Sequence, residues 1–349
     1  MLKLTQVTWA VCLFMAFANT SNASVPGKFT DFTVDAVPSG RLFHSVPVDL
    51  PPGIDGFSPQ LSLSYENDGP NGLIGHGWRL SGLSSVTRCA KTIAQDGHQA
   101  RVDYSLSDRL CLDGNRILTP TPGLSGSAAD AAYHQFTADT TLEIDRFARI
   151  QRVNGLQGIR VDYKDGLTGY YGNYDGSHAD ACVVALTSAA GATCGEFKLS
   201  RLENRRTGDF ASYVWEMPSS ADRVAYLKSI AYGAVANYVS KVLFEYETRP
   251  DIRKYYIGDL SHSLNRRLKK ISSFTAVASQ SDLPANVLRL RYSAVSGNGA
   301  ALDGSQLAGL QKCRTEVDAA GVEIVGAPSS CQDEVAYTYD GTGQSFFVK

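Results

Sequence analysis

Apolar and polar residues alternate with a period of two along most of this chain. Leu61, Leu63 and Tyr65 stand between polar neighbours, so one face of this strand would be apolar and the other polar. The same alternation recurs around Val161, Tyr213, Phe244, Leu290 and Tyr337. No long stretch keeps a helical period, although residues 222–232 fit either a short helix or a strand after a bend. The pattern predicts an all-β fold of antiparallel, meandering strands with short loops and few helices.

The densest turn signal lies in residues 67–77, which contain four glycines and one proline. Glycine adopts backbone conformations that other residues avoid, so Gly75 and Gly77 are predicted turn positions. Trp78 follows at once. We expect its ring to anchor these turns against a core that includes the apolar strand face formed by Leu61, Leu63 and Tyr65.

The composition narrows the classes of function. The chain carries 33 Lys and Arg against 35 Asp and Glu, which leaves no basic surplus for nucleic acid and no polybasic tail for a membrane. The 32 glycines and 17 tyrosines suit many short strands joined by tight turns. Residues 119–132 are rich in small and turn-forming residues, and we expect them to form a surface loop inserted in the fold.

Residues 1–23 have the features of a secretory signal peptide. Lys3 precedes a mostly apolar run, residues 7–18, and small residues end the segment. We expect cleavage before Ser24 and export of residues 24–349 as one module, which would be secreted or held in the periplasm or at the cell surface. The run is too short for a stable membrane span after processing, and an uncleaved anchor is the alternative.

Seven cysteines occur in the chain, and loss of the signal peptide would remove Cys12. The remaining six are Cys89, Cys111, Cys182, Cys194, Cys313 and Cys331. An even number of cysteines in an exported protein favours disulfide bonds. The sequence leaves several pairings open, and neighbours along the chain are the favoured partners. A zinc site is the alternative, but no cysteine pair has the spacing of a zinc knuckle, and His178 would add one ligand only.

One tripeptide, Glu245-Tyr246-Glu247, has the Glu-x-Glu form found in ADP-ribosyltransferases. The Ser-Thr-Ser sequence that this chemistry also needs does not occur in the chain. Both glutamates would lie on the outward face of an alternating strand, which favours a solvated surface over an active site. The sequence also has no nucleophile elbow, phosphate loop or dinucleotide fingerprint. We therefore predict no catalytic residues and no cofactor.

The sequence gives equally little support for a metal site. The six histidines are scattered, and His76, between two glycines, fits a hydrogen-bonded turn residue better than a ligand or a base. Asp108, Asp113 and Gly114 hold too few oxygen ligands for a calcium loop and favour a turn at a strand end.

Three motifs in the first third of the chain resemble the N-terminal module of SpvB proteins, which also opens the B components of insecticidal Tc toxins. They read PPGIDGFSPQLSLSY over residues 51–65, GLIGHGWRLSGLSSVTRC over 72–89 and DRLCLDGNRI over 108–117. The second half is similar to the family in FEYETRPD over 244–251, NRRL over 265–268 and LRYS over 290–293. YTYDGTG over 337–343 resembles one Tyr-Asp unit of the RHS repeats, although such a unit also occurs at ordinary strand ends.

The resemblance implies a structural role. In the toxin components this module is part of a hollow β-sheet shell that encloses a toxic polypeptide, so the implied partner is a further RHS- or Tc-toxin-like polypeptide or effector chain. Such a role would depend on backbone pairing and aromatic packing. A cell-surface or glycan-binding β module is the first alternative, because exposed aromatic rings on a sheet bind sugars and surfaces. An ADP-ribosyltransferase-type toxin is the second.

Overall fold

A computed structural model of the protein describes residues 33–36, 42–118, 130, 133–134, 136, 140–145, 147–188, 191–234, 237–275, 284–293, 304–314, 316–317, 323–324, 331–339 and 346–348. The predicted signal peptide, residues 1–23, and all but one residue of the predicted loop at 119–132 lie outside these ranges.

The described residues form an almost entirely β structure. The first strands are β1 (Thr33–Ala36), β2 (Leu42–Pro47), β3 (Ser62–Glu66), β4 (Asn71–Gly72), β5 (Gly75–His76), β6 (Trp78–Ser81), β7 (Ser85–Cys89), β8 (Arg109–Leu112), β9 (Asn115–Leu118), β10 (Thr141–Leu142), β11 (Arg149–Val153) and β12 (Gly158–Asp162). The remaining strands are β13 (Leu167–Gly172), β14 (Cys182–Ser188), β15 (Gly191–Asn204), β16 (Phe210–Glu216), β17 (Tyr226–Ala234), β18 (Asn237–Ile257), β19 (Leu260–Thr275), β20 (Pro284–Tyr292), β21 (Leu307–Arg314), β22 (Glu316–Val317), β23 (Glu323–Ile324), β24 (Val335–Tyr339) and β25 (Phe346–Val348). Helical structure in the described ranges includes α1 (Ile93–Asp96) and two short 3-10 turns, Ile54–Gly56 and Ala179–Ala181.

Most strands follow one another as an antiparallel meander. From β15 to β21, each strand pairs with the next along the chain, as in Tyr213 opposite Ile230 and Phe244 opposite Ile271. Strand β7 pairs with both β8 and β15, which connects the N-terminal strands to this meander. A smaller sheet has the order β1-β2-β3-β6. The all-β, antiparallel prediction is confirmed.

The alternating residues supply the core. Leu61, Leu63 and Tyr65 are all buried, as are Val242 and Phe244. The predicted polar face of β3 is wrong at Ser64, which is also buried. A small hydroxyl tolerates this position because it lies 3.4 Å from the Ser62 hydroxyl and can share a hydrogen bond with it.

One local ambiguity of the sequence is resolved. Residues 222–232 form a turn followed by β17, so the strand interpretation is right and the helix interpretation is wrong. The turn includes Arg223, whose φ of +52° is unusual for a residue with a side chain. In the part of the chain that the structure describes, no helix has the length and apolarity needed to cross a bilayer.

The longest hairpin is formed by β18 and β19, of 21 and 16 residues. Its pairing changes from Thr248 opposite Arg266 to Arg253 opposite Leu264. Residues 249–252 therefore form an enlarged bulge on β18. A bulge of this kind turns side chains away from their regular positions, and this one places a charged pair inside the protein.

Candidate functional site

The charged pair in the β18 bulge is Arg249 and Asp251. The Arg249 side chain is fully buried, and its Nε and Nη2 donate to the two carboxylate oxygens of Asp251 at 3.1 and 2.8 Å. Nη2 also donates to Oδ1 of Asn71 at 2.6 Å, and Nη1 donates to the Gly72 carbonyl at 3.0 Å. A two-point contact between guanidinium and carboxylate fixes both groups in one orientation.

Asp251 accepts further hydrogen bonds from outside the bulge. The Asn71 amide donates to it at 2.8 Å, the Ser305 main-chain N–H donates at 2.7 Å, and the Ser305 hydroxyl donates to the second oxygen. Burial alone would raise the pKa of Asp251. The hydrogen bonds from Arg249, Ser305 and Asn71 outweigh burial and hold this pKa well below its usual range. The carboxylate is therefore ionised at neutral pH.

These residues join three parts of the chain that lie far apart in sequence. Asn71 and Gly72 form β4, Arg249 and Asp251 lie in the bulge, and Ser305 precedes β21. We refer to these five residues as the Arg249 network. No pattern in the sequence predicts this network, although Arg249 and Asp251 stand in the FEYETRPD motif. Charged residues on a strand pattern normally indicate a solvated face, and nothing in the sequence marks Ser305 as their partner.

The glycine-rich turn lies against this network. Gly75 has a φ of +95°, and a β-carbon added there would lie 2.2 Å from the Ser305 carbonyl oxygen. Gly77 has a φ of +73°, and its added β-carbon would lie 2.5 Å from the carbonyl oxygen of Glu66. Both positions therefore require glycine for conformation and for space. His76, between them, donates its main-chain N–H to Ser305 at 2.9 Å, and burial followed by the nearby Arg253 lowers its side-chain pKa.

Trp78 lies at the centre of an aromatic cluster that connects the small sheet to β24. Its ring centroid lies 5.4 Å from that of Tyr65 and 5.0 Å from that of Tyr337. Trp78 Nε1 donates to the Tyr339 hydroxyl at 2.9 Å, and that hydroxyl donates to the Leu307 carbonyl at 2.7 Å. Burial raises the pKa of both Tyr337 and Tyr339 well above the usual value. The YTYDGTG motif thus contributes two rings that pack against the small sheet.

The six cysteines form three disulfide bonds. Cys89 is bonded to Cys111, Cys182 to Cys194, and Cys313 to Cys331, with Cα–Cα distances of 5.9, 5.2 and 3.9 Å. These are the pairs of sequence neighbours. The first connects β7 to β8, the second connects β14 to β15, and the third connects β21 to the segment before β24. Among the described residues, no group of three His, Cys, Asp or Glu side chains could hold a metal ion.

The two glutamates of the Glu-x-Glu tripeptide lie on β18 opposite basic residues of β19. Glu245 pairs with Lys270 at 2.7 Å, and Glu247 pairs with Arg267 at 2.7 Å. The Glu245 side chain is half exposed. Cross-strand ion pairs of this kind stabilise a sheet surface modestly. Asp113 likewise occupies the β8–β9 turn, where it accepts hydrogen bonds from the Ser84 hydroxyl and the Ser85 main-chain N–H.

A groove of about 400 Å³ opens beside the Arg249 network. It is lined by residues of the glycine-rich turn, β6, β14, β15, β16, the start of β17 and the tip of the β18–β19 hairpin. Its surface is mainly apolar and includes Leu80, Leu83, Trp215, Val224, Tyr255 and Ile257. Arg79, Glu196, Lys198 and Arg223 also line it and give it a basic character. The groove is therefore an apolar cleft with three basic side chains and one acidic side chain along it.

One comparison with known proteins matches the region that contains the glycine-rich turn. Residues 36–158 match the family model described as Salmonella virulence plasmid 65kDa B protein, SpvB. We refer to residues 36–158 as the SpvB segment. The SpvB segment contains Gly75, Gly77, Trp78 and the Cys89–Cys111 bond, whereas the bulge on β18 lies after it. No curated protein matches the chain.

Solved structures extend the likeness in fold beyond the SpvB segment. The chain is similar to the N-terminal domain of effector protein SpvB from Salmonella typhimurium strain LT2, with a TM-score of 0.57 and 17% identity over 78% of this chain and 99% of that one. It is also similar to TcdB2-TccC3, with a TM-score of 0.59 and 13% identity over 90% of this chain. The Photorhabdus luminescens Tc holotoxin pore gives a TM-score of 0.62 and 14% identity over 90% of this chain. This chain spans only 17% and 16% of those two chains, and at such low identity the likeness shows the fold alone.

Proposed function

We propose that this chain is an exported, non-catalytic module that builds part of a β-sheet shell in a toxin-like assembly. The proposal rests on one observation. Over 90% of its length, the chain is similar in fold to a segment of TcdB2-TccC3. That name joins two toxin components. By analogy, the partner proposed for this chain is a further toxin-like polypeptide or effector chain.

The way the fold is stabilised supports a role in shape and assembly. Strands as long as β18 and β19 would reach roughly 50 to 70 Å at the usual rise per residue, which suits a wall. The largest fully buried side chains are mostly aromatic and include Trp78, Tyr65, Tyr171, Tyr213, Tyr226 and Tyr232. The charged groups of the Arg249 network are satisfied by one another, so this network has no free group for chemistry.

A partner would add to the sheet at the C-terminal strands. Strand β24 pairs with β21 at two positions, Ala336 and Val335, and with β25 over three residues. A strand that is paired over so few residues can accept main-chain hydrogen bonds from another chain.

Site-specific photo-cross-linking in the producing cells tests the proposal. A photoreactive residue at the exposed position Thr338 of β24 should give adducts with a polypeptide that carries toxin-type repeats or an effector domain. The same residue at the exposed position Arg206, in the β15–β16 turn, is the control and should give none. Adducts with unrelated proteins only, or no adduct from Thr338, would count against the assembly role.

The glycan-binding alternative gains little support from the groove. Lys198 Nζ lies 4.8 Å from the centroid of the Trp215 ring, and the Tyr255 ring stacks on His262 with centroids 5.3 Å apart. Sugar binding by stacking needs a free aromatic face. These two faces are covered by protein groups, so a scaffold role agrees better with the described contacts.

A further inference from the structure

Three exposed apolar side chains lie on α1 and on the turn between β10 and β11. Ile93, Ile144 and Phe147 are 70%, 85% and 73% exposed, and they stand among the most exposed large apolar side chains of the described residues. The Gln95 amide donates to Glu143 at 2.8 Å, which places α1 beside the turn between β10 and β11. We call Ile93, Glu143, Ile144, Asp145 and Phe147 the apolar ridge.

The apolar ridge is held in place by hydrogen bonds. The Ile144 main-chain N–H donates to Asn115 Oδ1 at 3.2 Å, and the Phe147 N–H donates to Asp145 Oδ1 at 3.1 Å. These bonds and the Gln95–Glu143 contact fix the turn against α1 and β9. A surface whose exposed apolar side chains are ordered in advance loses less entropy on binding than a free loop does.

The ridge also has a negative charge. Residues 143–147 read Glu-Ile-Asp-Arg-Phe, which gives a formal charge of −1. An apolar surface edged with carboxylates is typical of a binding surface for a partner that is apolar and basic.

The groove beside the Arg249 network has the opposite character. Among its lining residues, Arg79, Lys198 and Arg223 outnumber the single acidic residue Glu196. Arg79 and Lys198 each pair with a glutamate. Arg223 donates instead to the main-chain carbonyls of Ala221 and Ser261, at 3.3 and 3.4 Å. Within the described part of the chain, no carboxylate is recorded in an ion pair with Arg223, so its remaining N–H donors are available to a partner.

We propose that the apolar ridge of one molecule docks into the groove of a second copy of this chain. Ile144 and Phe147 would fill the apolar part of the groove, and Glu143 and Asp145 would lie near Arg223. The two surfaces differ, so the contact is heterologous and links molecules head to tail, either in a closed ring or in an open chain. This self-association goes beyond the proposed shell role and does not depend on it.

Sedimentation velocity of the exported protein over a range of concentrations tests the contact. Wild-type protein should associate as its concentration rises. A ridge variant, Ile144→Asp with Phe147→Asp, and a groove variant, Arg223→Glu with Tyr255→Ser, should each weaken association by at least about tenfold. The control Arg206→Glu makes the same charge change on an exposed turn and should associate like wild type. Circular dichroism would establish that each variant is folded.

Mixing the two variants gives the sharpest result. The ridge variant keeps an intact groove, and the groove variant keeps an intact ridge. An equimolar mixture should therefore form a one-to-one dimer and nothing larger, at concentrations where each variant alone, weakened at least about tenfold, does not associate. A monomeric wild type at all concentrations, a mixture that fails to pair, or a ridge that binds anionic lipid vesicles without self-association would overturn the proposal. None of these results would affect the cross-linking test at β24.

Discussion

At the scale of single residues, Arg249 has the environment that is least favourable for a charged side chain. It is a cation without access to water, and it is tolerated because Asp251 and two further oxygen acceptors meet its donors. A buried ion pair of this kind seldom adds stability relative to apolar packing, but removal of one partner leaves a charge unpaired. The pair therefore fixes where the bulge must lie against β4.

Replacement of Arg249 with Met should lower the free energy of unfolding by about 3–5 kcal/mol, because Asp251 would stay buried without its counter-charge. The matched control is Arg79→Met, which removes an ion pair with Glu66 on a side chain that is 56% exposed. This control should cost less than about 1 kcal/mol. Urea denaturation measures both values, and equal losses would contradict the assigned role of Arg249.

Asp251 should also make stability depend on pH. Its pKa is lower in the folded protein than the ordinary value of 3.8, so the unfolded chain takes up this proton first as the pH falls. The contribution is fully present above the ordinary value and is lost as the pH falls through the folded pKa. Asp251→Asn should therefore flatten the decline of the urea midpoint at acidic pH. Ser305→Ala, which removes one donor, should give an intermediate slope, and an unchanged slope in both variants would refute the argument.

The sequence predicts single residues well where one physical cause dominates. Trp78 and Leu63 are apolar residues in a clear pattern, and both are buried. Arg249 and Asp251 carry the opposite signal, because charge on a strand normally indicates solvent. Their burial depends on Ser305, and no local pattern reports a contact between residues so far apart in sequence.

At the scale of elements, the glycine-rich turn and the β18 bulge hold one another in position. The turn brings Asn71 and Gly72 to Arg249, and the Ser305 carbonyl accepts the His76 N–H. Alternation predicted the strands on either side, since burial on one face repeats every second residue. The bulge interrupts that period at residues 249–252, so its position could not be found from the period.

Gly77→Ala should destabilise the protein more than Gly114→Ala. Both glycines have a positive φ, so each substitution costs about 1–2 kcal/mol in backbone conformation. A β-carbon at Gly77 would also meet the Glu66 carbonyl oxygen at 2.5 Å, whereas at Gly114 nothing lies within 4 Å. The difference between the two thermal midpoints measures the close packing of the turn. Equal midpoints would show that conformation alone explains the glycine.

The Cys313–Cys331 bond should hold β24 in place. Strand β24 pairs with β21 at two positions only, so the bond adds a tether close to a weak contact. Replacing both cysteines with Ser should cost about 3 kcal/mol and should speed amide hydrogen exchange in residues 335–339. The Cys182→Ser, Cys194→Ser variant is the control. It should cost a similar amount without faster exchange in β24, because it opens the β14–β15 hairpin instead.

At the scale of the whole molecule, three stretches of the chain meet at the Arg249 network and the aromatic cluster. The small sheet supplies Trp78, the long hairpin supplies Arg249, and the C-terminal strands supply Tyr339. The all-β class was predictable, because periodicity is a local property. The even number of cysteines predicted disulfide bonds but left the pairing open, and the structure has the favoured pairs of sequence neighbours. The packing of the small sheet against β24 was not, since it depends on contacts such as Trp78 with Tyr339, which are 261 residues apart.

The count of free thiols tests export and disulfide formation together. Three bonds of about 3 kcal/mol each would rival the whole stability of an ordinary domain, so the fold should need an oxidising compartment. Exported protein cleaved before Ser24 loses Cys12 and should show no free thiol when unfolded without reductant. A retained leader would leave one thiol, and protein without the bonds would leave six or seven.

Mass mapping of unreduced peptides should identify the three pairs, and protein kept reduced should unfold at a much lower urea concentration. Six free thiols in folded, exported protein would contradict the role given to the disulfides.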